Sequence, residues 1–474
     1  MTERPTLVWL RCDLRLADNP ALVFAAARGP VVPLYIDDTQ GTVPTPGAAS
    51  RVWLHHALAH LIEALGLAGS GLIIRRGDAL SELLKAAKEC NAEAIVWNRR
   101  YTPDDVALDT RIKTGCKDAG LAVRSFAGTL LNEPHEIRNK QGTPFKVFTA
   151  FYKHCLATTQ RRAPDAAPER LASPAVWPAG TSAEALALLP GHGWAESMMK
   201  PWEPSEHAGH RALEKFASAA VVHYDTGRDQ PGTDGVSRLS PYLHFGQLST
   251  AQVAAAVAPL GDAAGPYVRQ LYWRDFAHHL LFHFPAMPSE ELTPAFRAFP
   301  WLREDDVPGA VAAWRQGMTG YPLIDAGMRE LWQTGWMHNR IRMNVASFLV
   351  KHLRVDWRVG LAWFWDTLVD ADLANNSMGW QWGAGCGVDA APYFRIFNPV
   401  AQGQRFDKDG TYVRRFVPEL KRLPDRWLHE PWAADAATLR AAGVSLGTTY
   451  PHPVVDHKTA RAEALAAFAH MRRS

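Results

Sequence analysis

Over its first 130 residues the chain alternates short apolar runs with helical patterns, and from about Glu206 onward that alternation stops. Candidate strands are Thr6–Leu10, Val31–Ile36, Gly71–Arg75, Ala94–Trp97 and Ala122–Phe126. Candidate helices lie at Pro20–Ala27, Ser50–Leu65, Ala79–Cys90 and Pro103–Ala119. Parallel neighbours need a crossover connection, usually a helix, so this spacing predicts a parallel five-stranded sheet covered on both faces. Ligands of such sheets bind outside the carboxyl ends of the strands. There is no G-x-G-x-x-G and no G-x-x-x-x-G-K-[ST], which disfavours NAD-type and P-loop chemistry.

A single helix, Phe145–Leu156, follows, and then Arg161–Pro204 carries prolines at 164, 168, 174, 178, 190, 201 and 204 among Ala, Ser and Gly. That composition predicts an extended connector. Beyond it helical periodicity dominates, as in the stripe Met337, Ile341, Val345, Phe348 and Leu349. At 474 residues the chain is too long for one ordinary core. The expected division is an α/β domain at 1–130, a connector at 131–205 and a larger all-α domain at 206–474.

No apolar run reaches the 18 residues of a membrane span, and the charged start MTERPTLVWL reads as a first strand, not a secretory signal. Five dispersed cysteines with no C-x-x-C argue against zinc or a disulfide framework and fit a reducing cytoplasm. The expectation is a cytoplasmic monomer with no membrane association and no metal. A net charge of +3 leaves a nucleic-acid partner open, because the local field decides binding.

The 18 tryptophans are uneven: 12 fall between Trp273 and Trp432. Buried indoles want a partner for their N–H, so the concentration points to stacking or electron transfer there, alongside a Trp-rich core. Within it, Asp370–Pro399 (DADLANNSMGWQWGAGCGVDAAPYFRIFNP) is poor in aliphatic residues and groups Asp370, Asp372, Asn375 and Asn376. Buried polar groups must be bonded, so this reads as the wall of a site for a large, flat, hydrogen-bonding ligand.

Three further motifs carry chemistry. DGVSRLSPYLHFG (234–246) sets Ser237 and Ser240 around Arg238 before a helical pattern, which suits a phosphate, although by itself a plain N-cap with Pro241 at the first helical position explains it better. In GWMHNRIRM (335–343), Asn339, Arg342 and Met343 share a face opposite the apolar stripe. In QLYWRDFAHHLLFHFP (270–285), Gln270, Trp273 and Arg274 point the same way, a stacking ring beside an amide, as reading an extruded base requires. His279 and His283 lack the accompanying carboxylate of a metal site, so packing roles fit them better.

Read in order, RLSPYLHFG, YWRDF, TGYPLIDAGMREL, GWMHNRIRM, DADLANN, WQW and DAAPYFRIFNP, together with the opening WLRCDLRLADNPAL, resemble the photolyase/cryptochrome family along essentially the whole chain. The resemblance is nearest to the microbial cyclobutane pyrimidine dimer photolyases. It implies a Rossmann-like N-terminal domain for an antenna chromophore, and an all-α domain that binds FAD and DNA. The implied function is light-driven repair of cyclobutane pyrimidine dimers by electron transfer from reduced, anionic FAD to a flipped-out dimer in UV-damaged DNA, without sequence preference. Cryptochrome-type signalling and (6-4) photoproduct repair are the alternatives.

Carried over position by position, the resemblance implies that FAD meets Tyr224, Val236, Ser237, Arg238, Leu239, Ser240, Tyr267, Asn339, Arg342, Asp370, Ala371, Asp372 and Asn376. Ser237, Arg238 and Ser240 would cradle the diphosphate, Arg342 and Asp370 would pair beside the isoalloxazine, and Asn376 would face its N5. Val236 stands where photolyases commonly carry Thr, so one phosphate hydrogen bond, on the order of 1 kcal/mol, is lost. Trp380, Trp357 and Trp301 match the family's electron relay, with Trp314 as the alternative outer member.

For the lesion, Trp273 and Trp382 would stack on the pyrimidines, with Gln270, Asn339 and Met343 lining the cavity and Arg228, Arg274, Arg340 and Arg395 on flanking phosphates. Gln270 replaces the usual Glu and resembles the (6-4) enzymes, which however carry a histidine pair where this chain has Asn339 and Met343. Asp105 matches a carboxylate that holds a folate antenna, so methenyltetrahydrofolate is favoured over a deazaflavin. Cryptochromes often add a polar tail, and the chain ends at Ser474 soon after the amphipathic pattern Lys458–Met471.

Overall fold

The computed structural model describes residues 3–38, 44–160, 162–389 and 394–473. Five strands form as expected: β1 Thr6–Leu10, β2 Val31–Asp38, β3 Ile73–Gly77, β4 Ala94–Asn98 and β5 Ala122–Phe126. All neighbouring pairs are parallel and the order is β3-β2-β1-β4-β5. The crossovers are α1 Pro20–Ala26, α2 Ala48–Leu67, α3 Ala79–Glu89 and α4 Pro103–Asp118. Their starts are written locally: Asn19, Asp78 and Thr102 each accept a backbone N–H of the first turn. Leu7, Val32, Leu34, Ile95 and Trp97 of the sheet pack on Leu83, Ala86 and Ile112 from α3 and α4.

Beyond β5, among the described residues, the chain forms no further strand. Packing nevertheless divides it differently from the change of secondary structure at 206. One compact unit is Met1–Val222 with Ser237–Pro285, and the other is His223–Val236 with Ala286–Ser474. The first includes the sheet, α5 (Phe148–Thr158) and the helix Gly265–His283, where Asp275 accepts the backbone N–H groups of Leu131 (3.3 Å) and Asn132 (2.8 Å). The connector segment Thr181 bonds to the edge strand β3 through Ile74 O at 2.8 Å. These contacts explain why the sheet-bearing unit takes in helical segments.

The second unit is all helical apart from isolated bridges. Its core joins Trp314, Ile324, Ile341, Val345, Leu349, Trp357 and Trp380, and the expected stripe Met337–Leu349 is buried throughout. No helix among the described residues is long and apolar enough to cross a membrane.

Candidate functional site

At the carboxyl end of β1, between β1 and β4 where the strand order reverses, the crevice is occupied by side chains. Arg11 donates to Asn98 O (2.8 Å) and Asp109 (2.8 Å), while Asn98 Nδ2 donates to Asp13 (2.7 Å) and Asn19 (2.7 Å). Gly246 comes so close that a Cβ would lie 2.1 Å from Cys12 O. Asp105, the expected antenna carboxylate, is 1% exposed, 3.2 Å from Arg100 and 4.0 Å from Arg11. A buried anion is stabilised by nearby cations, and Asp105 Oδ1 has no hydrogen-bond partner among the described residues.

The motif around Arg238 forms a strained turn. Arg238 holds φ 52°, a left-handed conformation costly for a non-glycine residue, and the turn leads into the short helix Ser240–His244. Tyr267 Oη donates to Ser237 Oγ at 3.2 Å, so two of the expected FAD contacts are joined. On the same unit, the helix Gly265–His283 carries Gln270, Trp273 and Arg274. Trp273 is half-buried, and Phe148 stacks on one of its faces at 3.6 Å and 8°. Phe148 escaped sequence reasoning because its place beside Trp273 depends on α5 packing against a helix more than a hundred residues later. Gln270 Nε2 donates to Pro266 O at 3.2 Å. Arg274 donates to Thr129 O (2.9 Å) and Leu243 O (3.3 Å). Two carbonyls thus hold the half-buried guanidinium in place.

In the second unit, Asp370, Asp372 and Asn376 converge where a loop enters the helix Leu373–Ala384. Asp372 caps that helix by accepting the Asn375 N–H at 2.8 Å. Asp370 is buried and takes Arg342 Nη2 on both oxygens, at 2.8 and 3.0 Å. Arg342 Nε also donates to Met337 O at 2.7 Å, which fixes the guanidinium plane. Asn376 donates to Leu361 O at 3.1 Å. Asn339 is exposed and Met343 half-buried one turn on, with the amide 3.9 Å from the Met343 sulfur.

Arg340, expected on a phosphate, is ion-paired with Asp229 and lies over Phe406 at 4.5 Å. The carboxylate partly offsets the charge of the guanidinium. Arg228 lies over Tyr224 at 5.6 Å, and Arg395 is exposed. A Cβ on Gly235 would lie 2.6 Å from Gly227 O, so the stretch bearing Tyr224 and Arg228 folds tightly back toward Val236.

The three relay tryptophans lie in one core. Trp380 is 2% exposed and rests on the helix Trp357–Thr367, where a Cβ on Gly360 would lie 2.0 Å from its ring. Trp357 is fully buried and donates to Glu291 at 3.3 Å. Backbone bonds from Leu302 N to Arg354 O (2.8 Å) and from Asp356 N to Leu302 O (3.0 Å) bring half-buried Trp301 beside the start of that helix. Trp314, the alternative outer member, is fully buried and in edge contact with Trp380 at 6.2 Å, so it offers no solvent-facing terminus. Trp382 is half-buried at the far end of the Trp380 helix. Of the motif DAAPYFRIFNP, residues 390–393 lie outside the described residues. No metal-binding cluster occurs among the described residues.

The donor set suits a flavin. A guanidinium locked to a carboxylate, an amide and a second carboxylate are gathered at one helix start, as the edge of a heterocycle with alternating donors and acceptors requires. Two buried polar atoms on that helix, Ser377 Oγ and Trp380 Nε1, have no hydrogen-bond partner, the kind of deficit that a bound group or water fills.

Comparison with known proteins agrees. The model described as "DNA photolyase" matches residues 6–171, and that described as "FAD binding domain of DNA photolyase" matches residues 267–470. The chain is 46% identical to the deoxyribodipyrimidine photo-lyase of Agrobacterium fabrum over 99% of this chain and 98% of that one. It is 38% identical to Cryptochrome-2 of Arabidopsis thaliana, over 97% of this chain and 78% of that one. The crystal structure of a bacterial class III photolyase from Agrobacterium tumefaciens superposes with a TM-score of 0.96 at 45% identity, covering 100% of this chain and 99% of that one. With a shared parallel sheet, a shared helical FAD-binding domain and identity sustained along nearly the whole length, the chain belongs to the DNA photolyase/cryptochrome family.

Proposed function

We propose that this protein repairs cyclobutane pyrimidine dimers in DNA under light. The observation that carries the reading is the Arg342–Asp370 pair at the start of the helix bearing Asn376, Trp380 and Trp382, in a chain 46% identical to a deoxyribodipyrimidine photo-lyase. FAD, when bound in its reduced anionic form, supplies the electron that opens the cyclobutane ring and recovers it afterwards, so the reaction has no net redox change.

The side chains do the rest. Arg342 places a fixed cation that favours the anionic flavin, and Asp370 holds that cation in place. Ser237, Arg238, Ser240 and Tyr267 bind the diphosphate end, and Asn376 donates or accepts at the ring edge. Trp301, Trp357 and Trp380 pass electrons inward to restore the reduced cofactor. Trp273 and Trp382 stack on the extruded pyrimidines while Gln270, Asn339 and Met343 meet their edges. Arg228, Arg274, Arg340 and Arg395 contact phosphates and give affinity without sequence preference. An antenna, methenyltetrahydrofolate in preference to a deazaflavin, passes on excitation energy. Asp105, beside Arg100, is the carboxylate that would hold it.

The test is to illuminate reduced protein with an oligonucleotide holding one dimer and follow the return of thymine absorbance. Repair of (6-4) lesions alone would reassign the substrate. The 38% identity to a cryptochrome favours a second reading, a flavin photoreceptor, and a light-dependent flavin change with no repair of either lesion would select it.

A further inference from the structure

The middle tryptophan of the relay differs from the other two in what meets its indole N–H. Trp357 is fully buried, and its Nε1 donates to Glu291 Oε1 at 3.3 Å. Trp380 Nε1 and Trp301 Nε1 are also buried, but neither has a hydrogen-bond partner among the described residues. A carboxylate thus stands at the ring nitrogen of one relay member and not of its neighbours.

Glu291 is 7% exposed and lies in a loop that Gln381 clamps from the helix bearing Trp380. The buried Gln381 amide donates to Met287 O (2.7 Å) and Glu290 O (2.7 Å), and its oxygen accepts the Leu292 N–H at 2.9 Å. Arg358 Nη2 donates to the same Glu291 oxygen at 2.9 Å, yet this guanidinium also donates to Asp356, at 3.0 and 3.1 Å. Two carboxylates around one guanidinium leave net negative charge beside Trp357.

The surroundings of the ring itself disfavour positive charge on it. The Arg358 guanidinium lies over the Trp357 ring, 4.6 Å from its centre, and Trp357 opens the helix Trp357–Thr367 at the positive end of its dipole. A guanidinium is attracted to the face of a neutral indole but repels a ring that has lost an electron. An oxidised indole is also a far stronger acid at its nitrogen than the neutral ring. Moving that proton to a carboxylate takes the positive charge away from Arg358 and the helix start.

We propose that Glu291 is the proton acceptor of the relay and that the oxidised relay comes to rest as a neutral radical on Trp357. The inference rests on the relay assigned above. When Trp380 loses an electron to a photoexcited, oxidised flavin, Trp357 refills it with one electron of its own. The Trp357 N–H bond then breaks, its electron pair stays on the ring, and the proton forms an O–H bond on Glu291. The ring is left neutral with one unpaired electron. One electron arriving through Trp301 from an outside thiol, with return of the proton to Nε1, restores both residues. Charge recombination through Trp380 requires the proton back, so the separated charge lasts longer.

The experiment uses flavin-replete, oxidised protein carrying Trp301→Phe, which stops the oxidation at Trp357, with and without Glu291→Gln. Flash illumination followed by visible absorption distinguishes the tryptophan radical cation from the neutral radical, and infrared difference spectra read the carboxyl group. With Glu291 present, the cation is expected to give the neutral radical at a rate that is slower in D2O and independent of buffer concentration, with a transient carboxylic acid band. With Glu291→Gln the band is absent and the cation lives roughly 100-fold longer or more, the worth of a positioned proton acceptor. Flavin content and helical circular dichroism report folding, and if Glu291→Gln misfolds, the isotope, buffer and infrared measurements on Trp301→Phe decide. Equal cation lifetimes with and without Glu291, or loss of the cation in proportion to buffer base while Glu291 is present, overturn the proposal. No tryptophan radical in either protein overturns the relay and this inference together. Dimer repair is not read, so failure here leaves the proposed repair function standing.

Discussion

Arg342 Nη2 lies 2.8 Å and 3.0 Å from the two carboxylate oxygens of Asp370, joining the helix Asn339–Ser347 to the loop that enters the next polar helix. Asp370 is 7% exposed, so Arg342 compensates a nearly buried anion. Removing the cation from such a pair typically costs 3–5 kcal/mol, because the remaining charge stays desolvated. Arg342→Ala is expected to lower the thermal midpoint and to purify with depleted flavin. Asp370→Asn, which leaves the more exposed partner, is expected to cost less. Unfolding curves and the flavin-to-protein absorbance ratio check both.

Gly360 is needed for the placement of Trp380. A methyl group there would lie 2.0 Å from the indole, a distance that no van der Waals contact allows. Overpacking of this kind typically costs 1–3 kcal/mol and pushes side chains off rotamer. Gly360→Ala is expected to lose stability in that range and to slow photoreduction of the flavin. Trp380→Phe should slow photoreduction at a smaller cost in stability. Stopped illumination followed by flavin absorbance separates the two effects.

Trp382→Ala is expected to weaken binding of dimer-containing DNA by roughly 1–3 kcal/mol and to leave flavin content intact, since base stacking on an aromatic ring has that worth. Binding isotherms with damaged and undamaged oligonucleotides read the difference. Loss of flavin from this variant would show that the ring belongs to the cofactor site.

Asp275 yields a pH dependence. Burial pushes its carboxyl up to about 6, although it accepts the N–H groups of Leu131 and Asn132 and the Asn132 amide. The folded value lies above the unfolded one of about 3.9, so the folded state keeps the proton longer. Its contribution is complete below pH ~4 and is lost as pH rises through about 6, up to roughly 3 kcal/mol. Compared with Asp275→Asn, the parent protein should lose relative stability across that interval, as urea denaturation at stepped pH would measure. A parallel course of the two curves would mean that Asp275 is ionised throughout.

Much of this molecule is legible without coordinates. β1 and β5 fall where their apolar runs predict, and α1 to α4 begin within two residues of expectation, because strand runs, Asn19, Asp78 and Thr102 caps and leading prolines are local signals. β3 lies two residues later than its apolar run suggests, at Ile73–Gly77, since its bounds follow the pairing Leu34↔Ile73 with β2. The polar segment beginning at Asp370 also declares itself locally, as too many amides and carboxylates for a core.

What only the tertiary structure decided is who neutralises whom. The sequence marks Arg274, Arg340, Arg342 and Asp105 as charged residues of a site, but each meets its partner through folding: Thr129 for Arg274, Asp229 for Arg340, Asp370 for Arg342 and Arg11 for Asp105. The same holds for Phe148 on Trp273 and for the Lys351 ammonium on Arg395 O. Residue type and periodicity follow from neighbours a few positions away. Coulomb energy and desolvation depend on distances between segments tens to more than a hundred residues apart, and no local pattern encodes them.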